Sequence, residues 1–396
     1  MSIGGTRSAG AGRWVLYGPV MTGGWELVAC RIEIEAGAIA AVLPGGSREG
    51  ADLVVDDGWI IPGLIDLQVN GAGGVDLASD EKPCFAVAEV ARVLARHGVT
   101  GFCPTVVTSP PEVILSRLGV YGPKPHPGGA ESLGAHLEGP FLSPQRPGVH
   151  EPSHLRLPDP LEIEDWIQSG PPAIVTLAPE LPGGLEAVDR LVRAGVLVSL
   201  GHSIADADDA LAALAAGARM GTHLFNAMPP LHHRHPGLVG ALLASDALVS
   251  LIADGVHIDP LVVELAVRAA GVGRVALVSD ALAAADAPPG EVSLGGQSVV
   301  SDGVSVRRQD GTLAGSSLLL DGCLRNAVRW LPWLSPAQVV RMATQTPAEA
   351  LGGSVAARKG RIESGYDADL AILNYGWQVV GTVVRGEVVY RDRGFL

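Results

Sequence analysis

Val196-Leu-Val-Ser-Leu-Gly-His-Ser203, then Asp206 to Ala216, then Arg219-Met-Gly-Thr-His223, carries the pattern from which the architecture follows. The first run is apolar enough for a buried strand. The middle places apolar residues at helical spacing, and the third run is again a short strand. Strand, helix, strand within Val196–His223 is a βαβ unit, whose two strands run parallel. Each of these two strands leads directly into a histidine.

The same alternation continues in both directions. Further candidate strands are Gly63–Val69, Gly98–Cys103, Leu133–Leu137 and Ile174–Leu177 before this unit, and Val249–Ala253 and Val275–Val278 after it. With Val196–Leu200 and Arg219–Thr222 that makes eight. Helical patterns lie between them, such as Phe85-Ala-Val-Ala-Glu-Val-Ala-Arg-Val-Leu-Ala-Arg96, stopped by Gly98. Ser335-Pro-Ala-Gln338 and Thr346-Pro-Ala-Glu349 read as capping boxes with proline at the first helical position. Eight βα units predict a (β/α)₈ barrel rather than an open doubly wound sheet. No G-x-G-x-x-G follows the first strand and no Walker sequence occurs, so a nucleotide fold loses support.

The chain ends read differently. Trp14–Tyr17, Trp25–Ile34, Ile39–Val42 and Leu53–Val55, then Leu370–Leu373, Val379–Val384 and Glu387–Tyr390, are β-rich and divided by turns. They predict a small β-sandwich domain from residues 1–61 plus 355–396, with the barrel over 62–354.

With 396 residues the chain can bury a large core. A hydrophobic fraction of 47% against 18% charged residues excludes a disordered or coiled-coil protein. The net charge of −14 opposes wrapping nucleic acid, which needs basic patches. Cys30, Cys84, Cys103 and Cys323 are widely spaced and read as reduced thiols. No apolar run has the length of a membrane span, and Met1–Arg13 lacks a signal-peptide core, so a cytoplasmic protein is expected.

Chemistry-bearing residues gather where the predicted strands end: Asp66-Leu-Gln68-Val-Asn70, His136-Leu-Glu138-Gly-Pro140, Gly201-His202-Ser203, Thr222-His223-Leu-Phe-Asn226, Asp254-Gly-Val-His257 and Ser279-Asp280. In a barrel these ends converge on one mouth. A lone histidine on a strand is ordinary. Five or six costly polar groups at equivalent strand ends are not a chance placement. Glu138, His202 and His223 form a two-histidine, one-carboxylate set suited to one divalent metal, with a position left for water. Asp280 is placed to be the base that takes that water's proton.

These strings resemble the amidohydrolase superfamily and, within it, the N-acetylglucosamine-6-phosphate deacetylase family. The segments that carry the resemblance are Pro62-Gly-Leu-Ile-Asp-Leu-Gln-Val-Asn-Gly-Ala-Gly-Gly74, His136-Leu-Glu-Gly-Pro-Phe141, Gly201-His-Ser203, Thr222-His-Leu-Phe-Asn-Ala-Met-Pro229, Ala253-Asp-Gly-Val-His257, Val278-Ser-Asp280 and Leu313-Ala-Gly-Ser316. Lys359-Gly-Arg-Ile-Glu-Ser-Gly-Tyr-Asp-Ala-Asp-Leu370 is similar to the superfamily's return into its β domain. Many superfamily members hold two metals with His-x-His on strand one and a carboxylated lysine on strand four. Here strand one carries Gln68-Val-Asn70, and no lysine lies between Lys124 and Lys359. Amides are poor ligands beside imidazole, so a single metal is expected, with Gln68 and Asn70 supporting the site from behind.

The resemblance further implies removal of acetate from an N-acetylhexosamine 6-phosphate. It implies that His150 polarises the acetamido carbonyl, and that Val149, Asn226, Ala227, His257, Leu313, Ala314 and Gly315 contact the substrate. It implies a homodimer in which Arg234, in the basic run His232-His-Arg-His235, reaches the neighbouring subunit's phosphate. Zinc is the first choice of metal, with iron, cobalt and manganese compatible with the same ligands. The glucosamine and galactosamine epimers are not separated by the sequence, and another N-acyl substrate is the further alternative within the class. A barrel glycosidase using Glu138 and Asp280 is the rival from another class, and it leaves His202 and His223 without a role.

Overall fold

The computed structural model describes residues 12–21, 27–78 and 82–392. Eight parallel strands form the central ring. They are β1 (Leu64–Val69), β2 (Val99–Val107), β3 (His136–Glu138), β4 (Ile174–Leu177), β5 (Leu197–Leu200), β6 (Met220–Gly221), β7 (Leu248–Leu251) and β8 (Val275–Leu277). Consecutive strands pair in parallel register from β1–β2 to β7–β8. Between β8 and β1 the ring is joined by Asp280 N–H to Gln68 O (3.0 Å) and Asn70 N–H to Ala281 O (2.8 Å). The strand residues are almost all buried, because β strands in a barrel are covered inside by one another and outside by helices.

The expected helix over Phe85–Arg96 runs from Pro83 to Arg96, and the one after β5 spans Ala207–Ala215. The Asp206 side chain caps it by accepting from Asp208 N and Asp209 N. Ser335 and Gln338 form the expected capping box. Thr346 does not cap. Its helix, Gln345–Leu351, starts one residue earlier, and the Thr346 hydroxyl donates instead to Val272 O at 3.1 Å.

The expected strand Leu133–Leu137 is broken in two, Glu131–Ser132 and His136–Glu138. Gly134 between them has φ +114°, and a Cβ there would lie 2.8 Å from the Ala173 Cβ. The break bends the chain so that β3 enters the ring at His136.

Both chain ends build one further eight-stranded sheet. Leu370–Leu373 runs antiparallel to Trp59–Pro62, a strand absent from the sequence expectations. The predicted strand start at Trp25 lies outside the described residues, and the strand is described from Leu27 to Glu35. The sheet has its own core of Leu16, Ile32, Ile34, Ile60, Ile372 and Val383. A second unexpected element follows β8: a three-stranded sheet, Gly290–Leu294, Gln297–Ser301 and Val306–Arg307. It packs Leu294, Val299 and Val306 against Val107, Leu282 and Ala314 at the barrel mouth. Among the described residues no helix is long and apolar enough to cross a membrane.

Candidate metal centre and active site

Glu138 is the last residue of β3, and His202 and His223 each follow their strands by two positions. His202 (φ +48°), His223 (φ +31°) and Asp280 (φ +49°) all adopt left-handed backbone. That conformation costs roughly 1–3 kcal/mol for a side-chain-bearing residue and concentrates where function demands it. Here it turns the chain sharply at the rim and leaves all three side chains at the mouth.

The three ligand candidates converge. His223 Nε2 is 2.9 Å and His202 Nε2 is 3.2 Å from Glu138 Oε1, and the two ring nitrogens are 3.1 Å apart. His202 Nδ1 donates to Arg146 O (3.0 Å), so its Nε2 carries the lone pair and aims it at the cluster. A carboxylate oxygen and two imidazole nitrogens this close together in a buried site make a compact donor set for a cation. A tetrahedral ion with bonds of ~2.0–2.1 Å sets its ligand atoms about 3.3 Å apart, which this triangle matches. Burial pushes the Glu138 carboxyl up, but the two facing histidines outweigh it and hold it well below the usual range. The residues therefore fit one divalent metal, and no other three-residue set among the described residues does.

Gln68 and Asn70 stand behind this cluster as donors. Gln68 Nε2 donates to Glu138 Oε1 (3.0 Å), and Asn70 Nδ2 donates to Asp280 Oδ1 (2.7 Å). The strand-one amides thus hold the two carboxylates. Asp280 is buried and, among the described residues, has no cationic lysine or arginine partner. Burial, reinforced by the Glu138 charge, pushes its carboxyl up to about 6. His150 is buried beside them, its Nε2 3.7 Å from Glu138 Oε2. Burial, with His202 nearby, pushes its imidazole down to about 3, so it is neutral.

Asn70, Glu138, His150, His202, His223 and Asp280 line one cavity of 430 Å³ at the barrel mouth. Val149, Asn226, Ala227 and His257 line it too, as do Leu313, Ala314 and Gly315. Ser316 N–H donates to Asp280 O (3.0 Å), stitching the Leu313–Gly315 loop beside Asp280. His257 is held by Asp254, whose Oδ2 lies 2.7 Å from its Nδ1 and also accepts from Ser316 Oγ at 3.1 Å. Gln68 lies behind the wall. Arg234 is not brought to the cavity: it is exposed, in a tight loop where His235 N–H donates to His232 O (3.1 Å).

The sequence reading missed several contributors. Arg146 and Gln145 line the cavity just before Pro147, and Leu294 reaches it from the unexpected three-stranded sheet. Gln297 Nε2 from that sheet donates to Val149 O (2.9 Å), pinning the loop that carries His150. The signal was present: Val292-Ser-Leu-Gly-Gly-Gln-Ser-Val299 alternates around a Gly-Gly turn, a hairpin pattern. Thr108, just past β2, contacts His150 Nδ1 through both its N–H (3.2 Å) and its hydroxyl (2.8 Å).

The model of the amidohydrolase family matches residues 59–389. The chain is 41% identical over 362 residues to a Bos taurus protein named N-acetylglucosamine-6-phosphate deacetylase, covering 87% of each chain. The crystal structure of the Pasteurella multocida deacetylase of that name superposes with a TM-score of 0.88, at 30% identity over 95% of this chain and 99% of that one. A Mycobacterium smegmatis variant in complex with N-acetyl-D-glucosamine-6-phosphate superposes with a TM-score of 0.86, at 31% identity over 96% and 99%. The fold, the mouth geometry and these similarities agree, and the chain belongs to the amidohydrolase family, among its N-acetylglucosamine-6-phosphate deacetylases.

Proposed function

We propose that the protein hydrolyses the acetamide of N-acetyl-D-glucosamine 6-phosphate, giving glucosamine 6-phosphate and acetate. The observation that carries the reading is the convergence of Glu138, His202 and His223 beside Asp280 in one cavity. A divalent ion on those three residues supplies Lewis acidity, lowering the pKa of water and polarising the carbonyl. Asn70 keeps Asp280 Oδ1 occupied, so Oδ2 is the oxygen that takes the proton of the attacking water. The carbon–nitrogen bond then breaks, and Asp280 returns that proton to the amine, which cannot depart as an anion. A carboxyl near pKa 6 can both take and give a proton at neutral pH. His150 faces the carbonyl oxygen as a hydrogen-bond donor and stabilises the oxyanion. Commitment of Glu138 to two histidines disfavours the glycosidase alternative, which needs it as a free acid.

Val149, Asn226, Ala227, His257, Leu313, Ala314 and Gly315 are the proposed sugar-phosphate contacts, supported by their common position on the cavity wall. Zinc is the proposed metal, because two imidazoles and a carboxylate suit it. The protein is proposed to be a homodimer in which Arg234 reaches the partner's phosphate; its exposure leaves it available for that contact. The division into 1–61 plus 355–396 and 62–354 belongs to the same reading, supported by the separate core of the terminal sheet. A charged sugar phosphate does not cross a membrane unaided, which supports a cytoplasmic location.

The test is to incubate metal-replete protein with the glucosamine and galactosamine epimers of N-acetylhexosamine 6-phosphate and to follow acetate by NMR. Faster release from the glucosamine epimer is expected. Preference for the other epimer would correct the substrate, and release from neither would remove the function.

A further inference from the structure

Strand β2 ends at Val107, whose ladder partner is Glu138. The next N–H, that of Thr108, leaves the ladder and needs another acceptor in a buried place. It points at His150 Nδ1, 3.2 Å away. An amide N–H can only donate, so Nδ1 must be the unprotonated nitrogen. The Thr108 hydroxyl, 2.8 Å from the same atom, then donates to it as well. The ring proton is left on Nε2, the nitrogen beside the metal ligands.

We propose that Thr108 is a positioning residue that locks His150 as its Nε2–H tautomer, so that the ring meets the reacting carbonyl as a donor that keeps its proton. The chain is arranged around this contact. The Thr108 hydroxyl has one hydrogen, and the 2.8 Å contact to Nδ1 claims it in preference to Glu138 O, which lies 3.4 Å away. A Cβ at position 139 would sit 2.2 Å from that hydroxyl, and the chain has glycine there. His150 itself closes a turn, its N–H donating to Pro147 O at 3.0 Å. The division of labour follows: Asp280 moves protons, and His150 only donates a hydrogen bond. The reaction assigned to the ring rests on the deacetylase reading; the tautomer does not.

The decisive experiment is a two-bond ¹H–¹⁵N correlation spectrum of the zinc-loaded protein, labelled at histidine, near pH 7. The His150 signals are identified by their loss in His150→Gln. A protonated Nε2 with an unprotonated Nδ1 is expected. A protonated Nδ1, alone or together with Nε2, overturns the proposal. A kinetic arm reads the consequence. Thr108→Val keeps the N–H and loses the hydroxyl, so kcat should fall roughly three- to tenfold with KM and metal content unchanged, and Thr108→Ser should restore it. Wild-type kcat in Thr108→Val, or equal damage in Thr108→Ser, overturns the positioning role. If the wild-type protein releases no acetate, the deacetylase reading fails while the spectrum still decides the tautomer.

Discussion

Asp280 combines three costs in one residue: a left-handed backbone, burial of its carboxyl, and the nearby charge of Glu138. The proposed role as the base gives these costs a function. Asp280→Asn keeps size and shape but cannot accept the proton. It should retain fold and metal while kcat falls about 10²–10⁴-fold; metal analysis and acetate release check both halves. The sign of the pH dependence follows from the raised carboxyl. As pH rises through its pKa the group loses its proton and becomes able to act as base, so kcat/KM rises. With the group near 6, and a bound cation pulling it lower, the acid limb should have its midpoint at pH 6 or below. A limb centred above pH 7 would assign it to another group. At this scale the sequence was informative because buried acids and histidines are chemically odd at strand ends. Thr108 was not legible, because its contribution is a main-chain N–H and a hydroxyl, which any strand-end threonine carries.

At the scale of elements, the strand ends do the positioning. Val107 pairs with Glu138, and Thr176 pairs with Glu138 on the other side, so the main chain that carries this carboxylate is held by two neighbours. Gly139 follows with φ +88°. Gly139→Ala would demand a strained backbone and push Thr108 away. It should destabilise the protein by more than about 1 kcal/mol and weaken metal binding about 10–100-fold, measured by thermal melting and chelator competition. Retained metal affinity would show that the strand end tolerates movement. The barrel strands were legible from their apolar runs, with ends shifted by a few residues. The sheet over Gly290–Arg307 went unread although its hairpin alternation was present, because it interrupts the expected βα rhythm after the last barrel strand. The Thr346 cap failed for a tertiary reason: its hydroxyl is claimed by Val272 O.

On the scale of the whole molecule, Lys359 links the barrel to the terminal sheet. Its Nζ lies 2.7 Å from Asp369, 2.8 Å from Glu131 and 3.0 Å from Asp367, and it is nearly buried. Burial alone would lower its pKa, but the three carboxylates outweigh that and raise it. Lys359→Met strands those carboxylates and should cost about 3–5 kcal/mol in urea unfolding, with kcat of the folded protein unchanged. An unchanged midpoint would show the cluster to be solvated. Arg234 is exposed and stands outside the cavity, and the proposed homodimer gives it a role at the partner's phosphate. Mixing Arg234→Ala chains with Asp280→Asn chains should restore activity in heterodimers above either parent, each supplying what the other lacks. Verified heterodimers without recovery would remove the shared site.

The proposed deacetylation of N-acetyl-D-glucosamine 6-phosphate depends on one divalent ion held by Glu138, His202 and His223, and on that dependence the function turns. It is tested most directly by titrating metal-free protein with zinc while following acetate release from that substrate. The rate should rise linearly and break at about one equivalent per chain, because strand one offers amides where a second ion would need imidazoles. A break at two equivalents, or full activity before any metal is added, would contradict it.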